Sequence, residues 1–252
     1  MNESVDVLAV GTHPDDLEIA CSGTMILLAE RGYRVGAVDL TLGELGTRGS
    51  AELRARETAA ANEILKVWFR ENLGIPDGNI ENNQENRLRL IRTIRRYRPR
   101  LLLVPYWEER HPDHVHASRL AIDAAFQSGL LRIETGQQSF RPYRVLFYAG
   151  RISFRPTFVV DISGTFSSKM QAIRSYRTQF HVEGEESSAA GPQTLISTAY
   201  ALEVMETMGR YYGAMIGARY GEPFLMREPL EIVDPVAFFG EFPDSKQAHL
   251  FP

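Results

Sequence analysis

Short apolar runs that end at glycine or at polar residues alternate along the chain with longer stretches of helical character. Residues 5–10 (VDVLAV) stop at Gly11, and residues 34–40 (RVGAVDL) follow a helical stretch over 24–31 that Gly32 closes. Apolar, β-branched runs of this length are typical of strands buried on both faces of a parallel sheet. The opening of the chain therefore predicts a β-α-β unit.

The same alternation continues through the rest of the chain. It predicts strands over 100–105, 144–148 and 157–162, and helices over 51–65, 86–97, 114–127, 166–177 and 194–216. Residues 182–192 are small and polar and are predicted to form a loop, whereas residues 223–239 are predicted to pack as an edge segment or a subunit contact.

Strands that alternate with helices in this way indicate an α/β fold. We expect a three-layer α/β/α sandwich with a Rossmann-like, mostly parallel sheet, and a functional site at the C-terminal ends of its strands. Because the sequence contains no stretch typical of a linker, we expect residues 1–252 to form a single domain.

The composition is that of an ordinary globular protein, and it excludes several kinds of site. The chain is 44% hydrophobic and 24% charged, with a formal net charge of −4. Its one cysteine, Cys21, allows no intrachain disulfide and no zinc site built from several thiolates. A bound metal would therefore need histidine and carboxylate ligands. The scarcity of cysteine also fits a reducing compartment.

The lack of a recognisable targeting signal and the distribution of charge indicate the location and the partners of the protein. Acidic residues stand where a signal peptide has lysine or arginine, and no apolar run approaches the ~20 residues that cross a membrane. Arginines are concentrated over 87–100, but nucleic-acid contact would need a basic surface and the chain is slightly acidic. We expect a cytoplasmic protein without nucleic-acid or membrane partners, and we interpret the arginine-rich segment as a solvated helix face or a subunit contact.

Histidines and acids are concentrated directly after two of the predicted strands. His13, Asp15 and Asp16 follow the first strand, in the turn where a dinucleotide-binding fold has glycines. The segment 111–116 (HPDHVH) follows the strand over 100–105. Ligands of open α/β sheets bind outside the carboxyl ends of the strands, so the two clusters are expected to meet across one crevice.

The residue types in these clusters suit a catalytic metal site. His13 and Asp16 are three residues apart, as are His111 and His114, so either pair could converge on one ion. Two histidines and one carboxylate leave coordination positions open for water and substrate, which is typical of catalytic sites. The remaining groups could supply the base and the oxyanion partner that a hydrolysis needs.

Structural explanations exist for each residue taken alone. Asp15 or Asp16 could be a helix N-cap, and a single histidine after a strand is commonly a hydrogen-bonded surface or core residue. The sequence His-Pro-Asp occurs in both clusters, however, and both follow apolar strands. That repetition favours a shared functional origin over two separate structural ones.

At these residues the sequence resembles the LmbE-like (PIG-L) deacetylases. The similarity includes THPDDLE, HPDH, TLGELGTRGSAELR, VPYWEERHPDH and the late AYALEV. Members of this family are metal enzymes that remove N-acetyl groups from GlcNAc-containing molecules. Among its branches, the sequence is most similar to the deacetylases of bacillithiol biosynthesis, which act on N-acetylglucosaminyl malate.

The resemblance implies a role for eight residues. The implied zinc ligands are His13, Asp16 and His114, and the alternative to zinc is Fe²⁺ or another divalent ion. The implied catalytic residues are Asp15 as the general base, His111 as the group that stabilises the tetrahedral intermediate and protonates the amine, and Asp113 as the holder of the His111 imidazole. The implied substrate contacts are Arg54 and Tyr200.

Some assignments stay open at this level. Arg56 competes with Arg54 as the substrate contact, and residues two apart on a helix face in different directions. His116 is interpreted as a helix-face residue near the site. Family members are commonly oligomers, often hexamers, which implies a homo-oligomer. The alternatives to a malate-conjugate deacetylase are a deacetylase of another GlcNAc substrate, such as a chitooligosaccharide or a mycothiol-type conjugate, and a non-catalytic metal- or sugar-binding protein.

Overall fold

A seven-stranded sheet forms the centre of the computed structural model, which describes residues 3–181 and 192–240. Its strands lie in the order β3-β2-β1-β4-β5-β7-β6. They are β1 (Val7–Gly11), β2 (Val35–Asp39), β3 (Phe69–Asn72), β4 (Leu101–Pro105), β5 (Arg144–Tyr148), β6 (Phe158–Asp161) and β7 (Gly221–Met226). Neighbours from β3 to β5 pair in parallel, and β7 pairs antiparallel with both β5 and β6. The predicted mostly parallel sheet is confirmed.

Helices cover both faces of the sheet, as the alternating side chains of β1 illustrate. They are α1 (Asp16–Ala20), α2 (Ser22–Glu30), α3 (Ala51–Leu65), α4 (Gln84–Tyr97), α5 (Pro112–Gln127), α6 (Phe166–Arg174), α7 (Ala199–Ala214) and α8 (Pro235–Phe239). Leu8 and Val10 pack with core residues of α4 and α5, whereas Val7 and Ala9 pack with those of α1 and α2. Successive side chains of a strand point to opposite faces, so β1 separates two cores and the α/β/α layering is confirmed.

Helix boundaries follow from capping. The helix predicted over 114–127 begins earlier, at Pro112, because the His111 ring accepts a hydrogen bond from the backbone N–H of Asp113 and proline is well suited to the first helical turn. The helix predicted over 194–216 begins at Ala199, where the Thr198 side chain accepts from the Ala201 N–H. Of the predicted loop over 182–192, all but Pro192 lies outside the described residues.

Two segments of the sheet differ from the sequence-based expectation. β3 was not predicted, because Phe69 is its only apolar residue. Residues 223–239 were expected at an edge, and this was wrong for their first part, because β7 lies between β5 and β6. Pro223 is accommodated because pairing with β5 extends only to Phe224, so the proline lies where β7 has one paired neighbour.

The arginine-rich helix α4 is only partly the solvated face that its sequence indicated. Arg95 is 4% exposed. Its guanidinium donates to the backbone carbonyls of Ser128, Leu130 and Ile133 and to the Thr135 hydroxyl. Arg95 therefore holds the segment that follows α5 against α4. Among the described residues, no helix is both long and apolar enough to cross a membrane.

A buried ion cluster joins three elements beneath the carboxyl edge of the sheet. Arg70 of β3 donates to Glu18 of α1 at 2.6 Å and to Asp39 at the end of β2 at 2.7 Å. The three side chains are at most 3% exposed. Burial raises the pKa of Asp39, and the neighbouring Arg70 opposes that rise. At Gly11 a Cβ atom would lie 2.8 Å from Asp39 Oδ1, so this strand end requires glycine.

Replacing the central cation of this cluster should cost stability. We expect Arg70→Met to lower the free energy of unfolding by about 3–5 kcal/mol, because it leaves two carboxylates buried without their partner. Urea unfolding followed by circular dichroism measures the change. The control is Arg210→Met, which removes a surface pair with Glu206 and should cost at most about 1 kcal/mol. Equal losses in the two variants would contradict the assigned role of Arg70.

Candidate active site

The two clusters identified in the sequence meet at the carboxyl edge of the sheet. His13 to Asp16 form the turn between β1 and α1, and His111 to His114 form the entry to α5 after β4. Because β1 and β4 are adjacent in the sheet, these two turns lie side by side. The His13 ring centroid is 5.1 Å from that of His111 and 5.4 Å from that of His114.

Three of these side chains form a group that could hold a metal ion. Possible ligand atoms of His13, Asp16 and His114 all lie within 4.8 Å of one another. Asp16 Oδ2 is 3.4 Å from His13 Nδ1 and 3.3 Å from His114 Nε2. The backbone N–H of His13 donates to the same Asp16 oxygen, which fixes the carboxylate in the turn. Two imidazoles and one carboxylate at these separations suit a divalent ion with open coordination positions.

Carboxylates surround His13 and make the site favourable for positive charge. Asp77 Oδ1 lies 3.0 Å from His13 Nε2, and Asp113 Oδ2 lies 3.4 Å from it. Although burial disfavours the imidazolium, the hydrogen bonds to Asp16 and Asp77 raise the pKa of His13 to about 11. Burial also disfavours charge on Asp16, but His114 and His13 hold its pKa well below its usual range. A divalent cation would satisfy the same negative potential.

Asp15 has an unusual backbone and a buried carboxylate. Its φ of 117° lies in the left-handed region, which residues other than glycine rarely adopt. The side chain is buried, and its carboxylate lies 3.5 Å from Arg54 Nη1. Burial raises the pKa of Asp15 to about 8, and the Arg54 guanidinium opposes that rise. The result is a carboxylate of increased basicity beside the possible ligand group.

His111 lies at the N-terminus of α5 with a defined tautomer. Its Nδ1 accepts a hydrogen bond from the backbone N–H of Asp113, so the neutral ring carries its proton on Nε2. Burial lowers the pKa of His111, and the nearby His13 and His114 lower it further. The neutral imidazole is therefore a hydrogen-bond donor through Nε2.

The carboxylates of Asp113 and Asp77 both lie within hydrogen-bonding distance of the His13 ring. The Asp113 carboxylate, predicted to hold the His111 imidazole, accepts from the Gly78 backbone N–H at 2.8 Å and lies near His13. Asp77 was not among the predicted site residues, because the sequence Pro76-Asp77-Gly78 is typical of an ordinary turn. Its position directly after β3 could have identified it, but β3 is too polar to be recognised as a strand from the sequence. A turn after a strand of a parallel sheet is a candidate site position.

The sequence also offered Arg54, Arg56, Tyr200 and His116, and only Arg54 reaches the site. Arg54 is buried, lines the cavity at this edge, and donates from Nη1 to the Pro14 carbonyl oxygen. Arg56 is exposed and does not line that cavity. Tyr200, in the first turn of α7, is 64% exposed and is not part of the cavity wall, and His116 is likewise exposed outside it.

A cavity of about 710 Å³ runs along the carboxyl edge with the histidine cluster in its middle. Its side toward β2 and β3, which we call the polar arm, is lined chiefly by Gly43, Gly46, Thr47, Arg54, Asp77 and Gly78, with Leu45 as an apolar member of the same loop. Its side toward β7 and β6, which we call the apolar arm, is lined chiefly by Ile19, Ile162, Ile196, Val204, Met205 and Met208. Exposed Arg110 and Arg151 line the same cavity beside His111.

Comparisons of the sequence and the structure identify relatives of this chain. Residues 8–125 match the family model PIG-L, described as GlcNAc-PI de-N-acetylase. The diacetylchitobiose deacetylase of Thermococcus kodakarensis is 30% identical over 88% of this chain and 82% of its own. A Bacillus anthracis protein described as a probable N-acetyl-alpha-D-glucosaminyl L-malate deacetylase is 26% identical over 71% of this chain and 84% of its own.

A solved structure gives the same result for the fold. The conserved protein TT1542 from Thermus thermophilus superposes with a TM-score of 0.81 and is 39% identical, covering 91% of this chain and 97% of that one. The extent of these similarities shows that the chain belongs to the PIG-L family of hydrolytic N-deacetylases.

Proposed function

We propose that this chain is a metal-dependent hydrolase that removes the N-acetyl group from an N-acetylglucosamine conjugate, releasing a free amine and acetate. The observation that carries the proposal is the convergence of His13, Asp16 and His114 within 4.8 Å, with the buried Asp15 carboxylate on the adjacent residue. A ligand group alone would serve a binding protein. The strained, buried Asp15 beside it supports catalysis, since strain of this kind is concentrated at active sites.

His13, Asp16 and His114 are proposed to hold the ion, and Zn²⁺ suits two imidazoles and one carboxylate. Fe²⁺ or another divalent ion is the alternative, since the same ligand set also suits iron. When bound, the ion would polarise the acyl carbonyl and increase the acidity of water at the site. The remaining steps belong to side chains of the chain itself.

Asp15 is proposed as the proton acceptor. Its burial increases its basicity, and Arg54 limits that effect so that the carboxylate can ionise. The attacking water gives its proton to Asp15 as its oxygen bonds to the acyl carbon. The carbon–nitrogen bond then breaks, and the proton on Asp15 passes to the leaving amine.

His111 is proposed to stabilise the oxygen that gains negative charge. Its Nδ1 is occupied by the Asp113 backbone N–H, so the neutral ring presents Nε2–H as a donor. Hydrogen bonds aimed at such an oxyanion contribute strongly to catalysis because they need no reorganisation during the reaction. In this proposal Asp15 replaces His111 as the proton source for the amine, and Asp113 acts mainly on His13 and the Gly78 backbone.

For the substrate we propose N-acetylglucosaminyl malate, with a neutral chitooligosaccharide as the second candidate. Arg110 and Arg151 line the cavity and could bind the malate carboxylates. Glu109 lies between them, but its carboxylate already accepts from the backbone N–H groups of Arg110, Arg151 and Ile152. The higher identity to the diacetylchitobiose deacetylase favours the second candidate. The cytoplasmic location, the homo-oligomer and the substrate role of Tyr200 stay predictions.

Two variants separate metal binding from proton transfer. Asp15→Asn should retain the metal and lower kcat by about 10²- to 10⁴-fold, because the amide cannot accept the proton. His13→Ala should lose the metal itself, because one of three ligands is absent. Amine release from N-acetylglucosaminyl malate and metal content of the purified proteins are the measurements. Wild-type protein that is fully metalated yet inactive on every N-acetylglucosaminide tested would contradict the proposed function.

The two arginines discriminate between the candidate substrates. We expect the double variant Arg110→Met with Arg151→Met to lower kcat/KM for N-acetylglucosaminyl malate by about 10-fold or more, since charge-assisted hydrogen bonds to carboxylates are lost. Hydrolysis of diacetylchitobiose, which has no carboxylate, provides the comparison and should fall much less. A similar loss for both substrates would argue against an anionic aglycone.

A further inference from the structure

The lining of the cavity changes from polar to apolar along the edge of the sheet, and removal of an acetyl group does not require this change. The loops after β2 and β3 supply the polar arm, and β1 and β4 supply the cluster in the middle. Beyond β5, the ends of β7 and β6 and the helix α7 supply the apolar arm. The order of the strands therefore separates a polar side from an apolar side, with the reacting position between them.

The geometry of an amide relates these two sides to the two halves of a substrate. A secondary amide is planar and trans, so the groups on its nitrogen and on its acyl carbon point in opposite directions. When the carbonyl lies at the cluster, the sugar on nitrogen and the acyl chain on carbon must enter different arms. The hydroxyl-rich sugar matches Arg54, Asp77 and the glycine backbone of the polar arm, which leaves the apolar arm to the acyl chain.

The apolar arm is built mainly from side chains that can hold hydrocarbon. Val204, Met205 and Met208 of α7 line it, and Ile19 of α1 and Ile162 after β6 contribute as well. Methionine side chains are flexible and adapt to apolar ligands of varied shape.

The two charged side chains that line this arm, Lys169 and Glu222, are already paired with each other. Lys169 Nζ donates to Glu222 Oε1 at 2.6 Å and to the Ile19 carbonyl oxygen at 2.7 Å. Glu222 also accepts from the backbone N–H groups of Gly23 and Thr24 at the start of α2. Lys169 and Glu222 therefore neutralise each other within the fold. The other polar side chains among the described lining residues on this side are Gln179, Tyr148, Thr194 and Tyr212. Gln179 and Tyr148 donate to the backbone carbonyls of Arg48 and Val10, whereas the buried hydroxyls of Thr194 and Tyr212 have no hydrogen-bond partner among the described residues.

We propose that the apolar arm binds the acyl group of the substrate and that the enzyme hydrolyses N-butyryl and N-hexanoyl amino sugars in preference to N-acetyl ones. An acetyl group has a single methyl to bury and would leave most of the arm without a partner. Each further methylene that enters the arm should raise kcat/KM by about fourfold, the value of burying one CH₂. The inference rests on the proposed function, because it concerns the acyl side of the same reaction.

Hydrolysis of an acyl series measures this preference. Methyl glucosaminides that carry N-acetyl, N-butyryl or N-hexanoyl groups differ only in the acyl chain, and amine release gives kcat/KM for each. We expect kcat/KM to rise from acetyl to hexanoyl. Metal-loaded enzyme that hydrolyses the acetyl compound but hydrolyses the longer ones more slowly would overturn the inference and leave the proposed function intact. Failure on all three would instead count against the proposed function.

Variants of α7 test whether the arm itself sets the preference. Val204→Trp should fill the arm and lower the hexanoyl-to-acetyl ratio of kcat/KM at least 10-fold, whereas Met208→Ala should enlarge it and move the optimum to a longer chain. Thr207→Trp adds the same indole at an exposed position of the helix that does not line the cavity, and the ratio should not change. Because the readout is a ratio, a variant with less folded protein still reports the preference. Unchanged ratios in both arm variants would overturn the inference.

A second substrate series tests whether the aglycone, rather than the acyl chain, occupies the apolar arm. Methyl, butyl and hexyl glycosides of N-acetylglucosamine keep the acyl group constant and lengthen the aglycone. If the arm binds the acyl chain, Val204→Trp should leave the relative rates within this series unchanged. A rate that rises with aglycone length and falls in Val204→Trp would assign the arm to the aglycone and overturn the inference.

Discussion

The pairing of Arg70 with two buried carboxylates is the interaction on which the active edge of the sheet depends. Glu18 lies in α1, one turn beyond Asp15, and Asp39 ends β2 just before the loop of the polar arm. A charge buried without a partner is far more costly than an exposed one, so the three residues must stay together in the folded chain. This constraint links the turn that carries Asp15 and Asp16 to the strands beside it.

The sequence was sufficient for the parts of the fold where burial selects apolar residues. β1, β4 and the last four residues of β5 are continuous apolar runs, and their order with the helices gave the layers. It was not sufficient where the environment is polar yet buried. In β3 the buried charge of Arg70 is satisfied by Glu18 of α1 and Asp39 of β2, so a strand of the sheet has the composition of a loop. Asp77 was missed for the same reason, since its site role depends on the strand before it.

The candidate site was predictable as a set of residues but not as a set of contacts. The repeated His-Pro-Asp sequence identified His13 and His111 because chain order fixes which turns lie at the carboxyl edge. Contact between Asp113 and His13, 100 residues apart, depends on the adjacency of β1 and β4 and on the Gly78 backbone. Side-chain partners at such separations follow from tertiary packing, which a single sequence does not encode locally.

The left-handed backbone of Asp15 has a consequence for how this protein can change. Conformations of this kind cost a non-glycine residue on the order of 1–3 kcal/mol, and glycine would adopt the same backbone without that cost. The backbone alone would therefore favour glycine at position 15, whereas the pairing of the carboxylate with the buried Arg54 opposes that preference. In a lineage released from selection for amide hydrolysis, only the pairing with Arg54 would still oppose that preference, so the residue at this position would distinguish active descendants from inactive ones.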